Sequence, residues 1–427
     1  MSLTRQMTVG RKIEAVEGTA ETLAAADYAG NTKGAPQLNR QVNRYGREIQ
    51  TPDLSPWGTL PGQRMGSLSM PEEELVGGDA STAAPWHTDL RAMGFSAAGL
   101  KMIEISSIAA ADINRGDRIG NNATEGSASA TGVVVCFVNA QGSPVTVGAQ
   151  GVDGKLVYLP VTGALADSDT LHSYASPQAT ADIDTNPVDA GFRFLPFSET
   201  AAGAPPSVTA GLRYIEGGQW YEEQLAGARG QGSLSLRMGE PALLQCEYMG
   251  AAVMGKSGGE YTPDAVPALT GIPTYSSPPK VAKGMPLRVK VAGESDFVPI
   301  LTEATIDFGI NLTPRPTITD ADIGDTGYMA TRITDRRIVI GIDPEKVAPG
   351  TFNFWDHVYD ARYFEFFTSL GSPSEGNGML MFEAPRCQLN SDLSEDDRDG
   401  IATYGLEAEC TRVNGDDEFV IDHIFVS

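Results

Sequence analysis

Gly250 to Ser257, GAAVMGKS, satisfies the G-x-x-x-x-G-K-S spacing of a phosphate-binding loop. Such a loop works when a helix begins at its lysine, so that backbone N–H groups and the helix dipole converge on the phosphates. An apolar run ending in an acid, Ile338 to Asp343, has the form of the magnesium-side strand that would accompany it. Ser257 is succeeded by GGEYTPDAVPALTGIPTYSSPP, which cannot begin a long helix, and Asp343 by Pro344. The segment therefore reads as a Gly-rich linker. Glu395 to Gly400, EDDRDG, alternates acids and places a glycine sixth, like the start of a calcium loop. Its twelfth residue is Leu406 where a bidentate Glu is required, and Glu407 misses by one, so it reads as a solvated loop between strands. The four histidines (His87, His172, His357, His423) have no metal spacing, and no serine sits in a nucleophile elbow. Four distant cysteines (Cys136, Cys246, Cys387, Cys410) lack a CxxC pair and suit free thiols in a reducing compartment. Arg115-Gly116-Asp117 spells an adhesion tripeptide but reads as a turn ending in an exposed acid. No catalytic residue, cofactor or metal is expected, and the chain is not expected to be an enzyme.

The elements that would carry any site are strands. Across 427 residues, 48 Gly and 27 Pro are scattered without period, which implies frequent turns and many short strands in two or three domains. No apolar run approaches the ~20 residues of a membrane helix, and residues 1–30 lack the order of a signal peptide, so a soluble product of the cytoplasm is expected. A formal charge of −24 opposes any grip on nucleic acid, which needs clustered Lys and Arg. It fits solubility, or a surface past which DNA slides without sticking.

The chain is organised around Gly211 to Gly250. Gly217-Gly218 can supply the positive φ values of a two-residue hairpin turn, so Tyr214 and Ile215 face Trp220 and Tyr221. After the linking Leu225-Ala-Gly-Ala-Arg-Gly230, Leu234, Leu236 and Met238 alternate with Ser233, Ser235 and Arg237, the period of a strand with one buried face. Gly239-Glu240-Pro241 then breaks the run before a further strand from Leu243. This order of hairpin, GARG, alternating strand, GE-P and strand resembles the tail tube proteins of long-tailed bacteriophages, as does the early Lys12-Ile-Glu-Ala with Gly18-Thr19. In that family the N-terminal segment runs as an arm, and on sequence alone it is weakly structured here.

Trp86, Leu90 and Met93 fall at helical spacing with Gly94 as the stop, and a second short helix covers Phe354 to Asp360. His87 and His357 lie on these helices beside Trp86 and Trp355, which read as core. The text repeats: YGREIQTPDLSPWGTLPGQRMGS is similar to FGINLTPRPTITDADIGDTGYMA, and the GARG segment has its counterpart in Met379 to Cys410. Ile306, Phe308, Ile310 and Leu312 alternate with polar residues, as do Ile338, Ile340 and Ile342 with Arg337, Val339 and Gly341, while Phe419, Ile421, Ile424 and Val426 close the chain. The expected fold is mainly β: two tandem tail-tube-like sandwich or barrel domains, each with a short helix, plus an inserted small all-β module. The divisions are an arm (1–35), a first tube domain (36–106 and 191–255), the module (107–190), a linker (256–280) and a second tube domain (281–427).

The resemblance implies a structural virion protein whose subunits form rings, stacked into a hollow tail tube through which DNA passes at ejection. With two folds per chain, a homotrimer with pseudo-sixfold symmetry completes a ring, or else a homohexamer does. Implied partners are further copies of the chain and the tape measure, tail terminator and tail-tip proteins, with assembly in the host cytoplasm and no membrane. Asp307, Glu407 and Glu409, on the mixed faces of strands, are the candidates to line an acidic lumen. The module, tethered at both ends, is expected to project outward as decoration. The reading from another class is a receptor- or carbohydrate-binding tail fibre or adhesin.

Overall fold

Gly217 and Gly218 take φ values of 58° and 84°, and the turn they make sets the register Glu216↔Gln219, Ile215↔Trp220 and Tyr214↔Tyr221. The second arm does not stop at the GARG segment. It runs unbroken as Gln219–Arg237, accommodating the motif with a bulge in which Gly227 adopts φ 58°. The structure, a computed structural model, describes residues 7–28, 30–47, 58–70, 72–139, 144–145, 147–200, 203–253, 255–257, 260–273, 278–291, 296–319, 321–374, 376–390 and 393–426.

Among the described residues the fold is mainly β and antiparallel, with two short α-helices, α1 (Trp86–Ala92) and α2 (Phe354–Tyr359). α1 begins and ends where its apolar spacing places it, and Gly94 past its end takes φ 85°. It packs so closely on the long strand that a Cβ on Gly232 would lie 2.7 Å from Met93 Cε and 2.0 Å from Gln245 O. Gly232→Ala is therefore expected to destabilise the chain by about 2–3 kcal/mol, read from the urea midpoint.

Eight strands pair in one continuous order. Gln37–Tyr45 joins Leu60–Ser69, then Leu243–Val253, then Gln219–Arg237. From there the sheet crosses to the second half through Glu303–Asp307, Val339–Ile342, Ile401–Cys410 and Ser394–Arg398. A second layer is built from Phe95–Ala109, Val188–Pro196, Val420–Ile424 and Met379–Leu389, again mixing strands of both halves. The two halves thus share one hydrophobic core, in which Phe95 meets Phe308 at 5.3 Å between ring centroids. Val420–Ile424 is buried on both faces because it lies between that core and a smaller cluster around Met379 and Met381.

Further expectations need correction. The N-terminal segment is not weakly structured: Thr8–Ile13 pairs along Val208–Glu216. Within 256–280, expected to be linker, Glu260–Thr262 pairs with Gly255–Ser257 and Asp264–Val266 adds to Trp220–Glu222. Trp86 is core, but Trp355 is 44% exposed.

Residues between 103 and 183 enclose their own cluster, including Ile105, Phe137, Leu156 and Ile183. Strand Phe95–Ala109 runs straight across the expected module boundary at 106/107. The module is held by more than its tethers, since Val135, Cys136 and Val157 on its other face pack against Phe367, Met379 and Met381. Arg115 completes the joint, donating from Nε to Glu383 at 2.9 Å and from Nη1 to Val135 O at 3.2 Å. The RGD arginine is therefore a structural clamp, and Asp117, expected to be exposed, is half-buried and accepts from Asn114 N at 2.7 Å.

Candidate functional site

Along the six inner strands of the eight, one set of side chains turns toward the core and the alternate set lies on a polar face. Ile306, Ile340, Leu406 and Ala408 are buried, while their neighbours share the other side. Cross-strand register aligns Gln245, Ser233, Asp307, Val339 and Glu409 in one row, and Ser235, Thr305, Gly341 and Glu407 in the next. The three acids singled out from the sequence thus come together on one face, although more than a hundred residues separate Asp307 from Glu409. Glu247 and Glu303 lie on the same face, as their register partners show. Against these five carboxylates stand Arg237, 2.9 Å from Glu303, and Arg337, 2.7 Å from Glu409. The hydrogen bond from Arg337 holds the Glu409 carboxyl below its ordinary pKa. Asp307 accepts from Gly309 N at 2.9 Å and keeps its place in a turn. A shallow depression on this face is lined by Glu303, Thr305, Gly341, Ser394 and Glu407.

Among the described residues neither end strand of the sheet pairs along its outer side. Gln37–Tyr45 has only Leu38 partly covered and the rest exposed, and Ser394–Arg398 is exposed as far as Asp397. The acids that resemble a calcium loop are this second edge strand. Asp399 and Gly400, at φ 53° and 87°, form the two-residue turn that joins it to Ile401–Cys410. Among the described residues no group of three or more His, Cys, Asp or Glu is arranged to hold a metal.

The phosphate-loop pattern is built differently from its namesake. Gly250 to Val253 complete a strand, and Lys256 lies in the strand Gly255–Ser257, so no helix begins at the lysine. Asp343 is occupied with Thr302 N at 2.9 Å, Glu303 N at 3.0 Å and Arg398 Nη1 at 2.9 Å. No helix among the described residues is long and apolar enough to cross a membrane.

Sequence spacing missed the buried polar clusters, among them those around Arg11 and His87. Arg11 reaches Glu73 through Nη2 and Asp89 through Nε, the latter at 2.7 Å, and Tyr248 Oη donates to Asp89. Burial pushes the Glu73 carboxyl well up, more than the Arg11 charge lowers it. His87 and His423 meet with Nε2 and Nδ1 3.0 Å apart. Because Ala84 N donates to His87 Nδ1, His87 Nε2 carries the proton toward His423, whose Nε2–H donates to Asn377 O. Burial lowers both imidazoles, His423 to about 4.

A pH dependence results from linkage. With folded pKa values depressed, both histidines contribute stability that is present above their ordinary 6.5 and lost on acidification toward the folded values. Glu73, raised, works in the opposite sense, its contribution being present below its ordinary value and lost as pH rises through the folded one. Two lowered imidazoles outweigh the one raised carboxyl, so unfolding takes up protons on balance and stability is expected to fall as pH drops from about 6 to 5, measured by urea unfolding. Glu73→Gln, which removes the opposing group, should steepen that fall.

No protein-family model matches this chain, and no curated protein matches it.

Proposed function

We propose that the chain is a structural virion protein of the tail tube kind, which pairs edge to edge with further copies into rings and stacks the rings into a hollow tube. The observation that carries this reading is the eight-stranded antiparallel sheet, with an acidic face and two exposed edges. Strand direction alternates along the sheet, so Ser394–Arg398 runs opposite to Gln37–Tyr45. Adding another copy at either edge therefore keeps the sheet antiparallel, and cyclic addition removes the unpaired edges by closure.

Each half contributes a hairpin and two further strands in the same order, which supports two copies of one fold within the chain. Three chains give twenty-four strands. At ~4.8 Å between strands and a tilt of ~40°, such a barrel is about 45–50 Å across its backbone, which suits a DNA duplex. Six chains would double that width, so the homotrimer with pseudo-sixfold symmetry is the favoured ring. Asp307, Glu407 and Glu409 then face the lumen, where negative charge prevents phosphates from adhering. The chain acts as scaffold and conduit rather than catalyst, in a virion tail assembled in the host cytoplasm. Tape measure, terminator and tip proteins are its partners by the same resemblance.

The test is negative-stain electron microscopy of the concentrated protein with light-scattering mass of its assemblies. Hollow striated tubes with threefold end views are expected. Discrete elongated trimers would instead favour the receptor-binding reading. That reading has one feature on its side: on α2 the half-exposed Trp355 stacks on Tyr359 at 5.8 Å and 10°, an aromatic surface of the kind that binds sugar rings.

A further inference from the structure

Cys387 and Cys410 stand directly opposite each other on Met379–Leu389 and Ile401–Cys410. The neighbouring bond, Thr411 N to Arg386 O at 2.7 Å, marks them as a non-hydrogen-bonded pair, the closer of the two kinds of antiparallel pair. Cα atoms in such a pair are ~4.5 Å apart, inside the range a disulfide spans. Both side chains enter the same core and interact there, Cys387 Sγ also donating to Ala384 O at 3.8 Å. Cys387 has no exposure. Cys410, at 7%, lines a surface depression with Arg337, Glu409 and Arg412, which gives a small molecule a route to its sulfur.

We infer that Cys387 and Cys410 form an oxidisable pair, which a hydroperoxide converts into a cross-strand disulfide closing the loop that carries the Ser394–Arg398 edge. The Cys410 thiolate attacks the peroxide, breaking its O–O bond, and becomes a sulfenic acid while the leaving oxygen departs as water or alcohol. The Cys387 sulfur then displaces the hydroxyl, which leaves as water with the thiol proton. Two thiols lose two electrons and two protons, and the peroxide is reduced.

The hydrogen bond to Cys387, together with burial, holds the Cys410 thiol well above its ordinary pKa, so the reaction is slow at neutral pH and accelerates as pH rises. The remaining thiols have no such partner. Cys136 and Cys246 lie on other strands, Val135 and Cys136 in the module joint and Cys246 beside Tyr248, and burial pushes both thiols up, Cys136 to about 12. The bridge would tie the root of the edge hairpin to the sheet behind it. The inference stands whether or not the chain assembles into tubes.

The experiment treats the folded full-length protein with excess hydrogen peroxide, then alkylates it in denaturant. Free thiols are expected to fall from four to two, with a non-reduced peptide joining Cys387 to Cys410 that a reductant separates. The oxidised form should melt about 3–5 °C higher. Cys136→Ser and Cys246→Ser variants should form the bridge as the parent does, whereas Cys387→Ser and Cys410→Ser should not. Four thiols surviving the peroxide, sulfinic acid on single cysteines without a bridge, or a bridge between chains would each overturn the inference.

Discussion

Replacing Arg11 by alanine is expected to cost about 3–5 kcal/mol of folding stability, while Glu73→Gln should cost less than about 1 kcal/mol at pH 7. Arg11, Glu73 and Asp89 have almost no solvent exposure, so removing the guanidinium leaves two buried carboxyls without their counter-charge, with Tyr248 Oη still donating to Asp89. The two variants differ because of where the protons sit. Glu73 is held well above its ordinary pKa by burial and by Asp89, and it shares a hydrogen bond with Asp89. When protonated it is a neutral donor, a role a glutamine amide can take over. The strand bearing Arg11 docks on Val208–Glu216, and the guanidinium bridges it to α1 through Asp89. Loss of Arg11 should therefore also expose the N-terminal segment to protease before the rest of the fold. Urea unfolding of both variants checks the pair. An Arg11→Ala chain within about 1 kcal/mol of the parent would mean that the cluster rearranges to satisfy itself.

Strand identity was legible wherever one face is buried, because alternation needs only local sequence. Ile338, Ile340 and Ile342, or Leu234 and Leu236, announce their own inner face, and Gly217-Gly218 announces its turn. Partner choice was not legible. Nothing local says that Ser233 lies beside Asp307, or that the row continues to Glu409, since both pairings close long loops whose register is set by the assembled core. The same limit hid the Cys387–Cys410 pair, His87 against His423, and the Arg11 cluster, each of which requires distant strands to be in place first. Glycine misled in a different way. In Gly227-Ala-Arg-Gly230 it looks like a link, yet it admits a bulge and lets α1 press on the strand, so the strand continues. Acids misled too: Glu395 to Asp397 read as a solvated loop, but an exposed edge strand is equally free to be charged, and charge there discourages chance pairing.

That edge supplies the other large effect, the loss of assembly in Glu395→Pro with the monomer left folded. The two-residue turn at Asp399-Gly400 makes Arg398 and Ile401 a hydrogen-bonded pair, and alternation then directs the backbone groups of Asp396 and Ser394 inward. The N–H groups of Glu395 and Asp397 consequently point away from the sheet, toward any strand added there. Proline at 395 deletes one outward donor and puts a ring in the path of the incoming strand, while leaving the inward ladder intact. Its salt bridge to Lys346 is made at an exposed position and contributes little. The variant should thus match the parent in circular dichroism and within about 1 kcal/mol in urea, yet yield no rings or tubes at concentrations where the parent assembles. Asp396→Pro is the contrast, since it removes an inward donor paired with Thr403 and should loosen the hairpin itself. If Glu395→Pro assembles as readily as the parent, Ser394–Arg398 is not the joining edge, and the ring must close through another surface. If both variants lose assembly but only Asp396→Pro loses stability, pairing at this edge is what builds the ring.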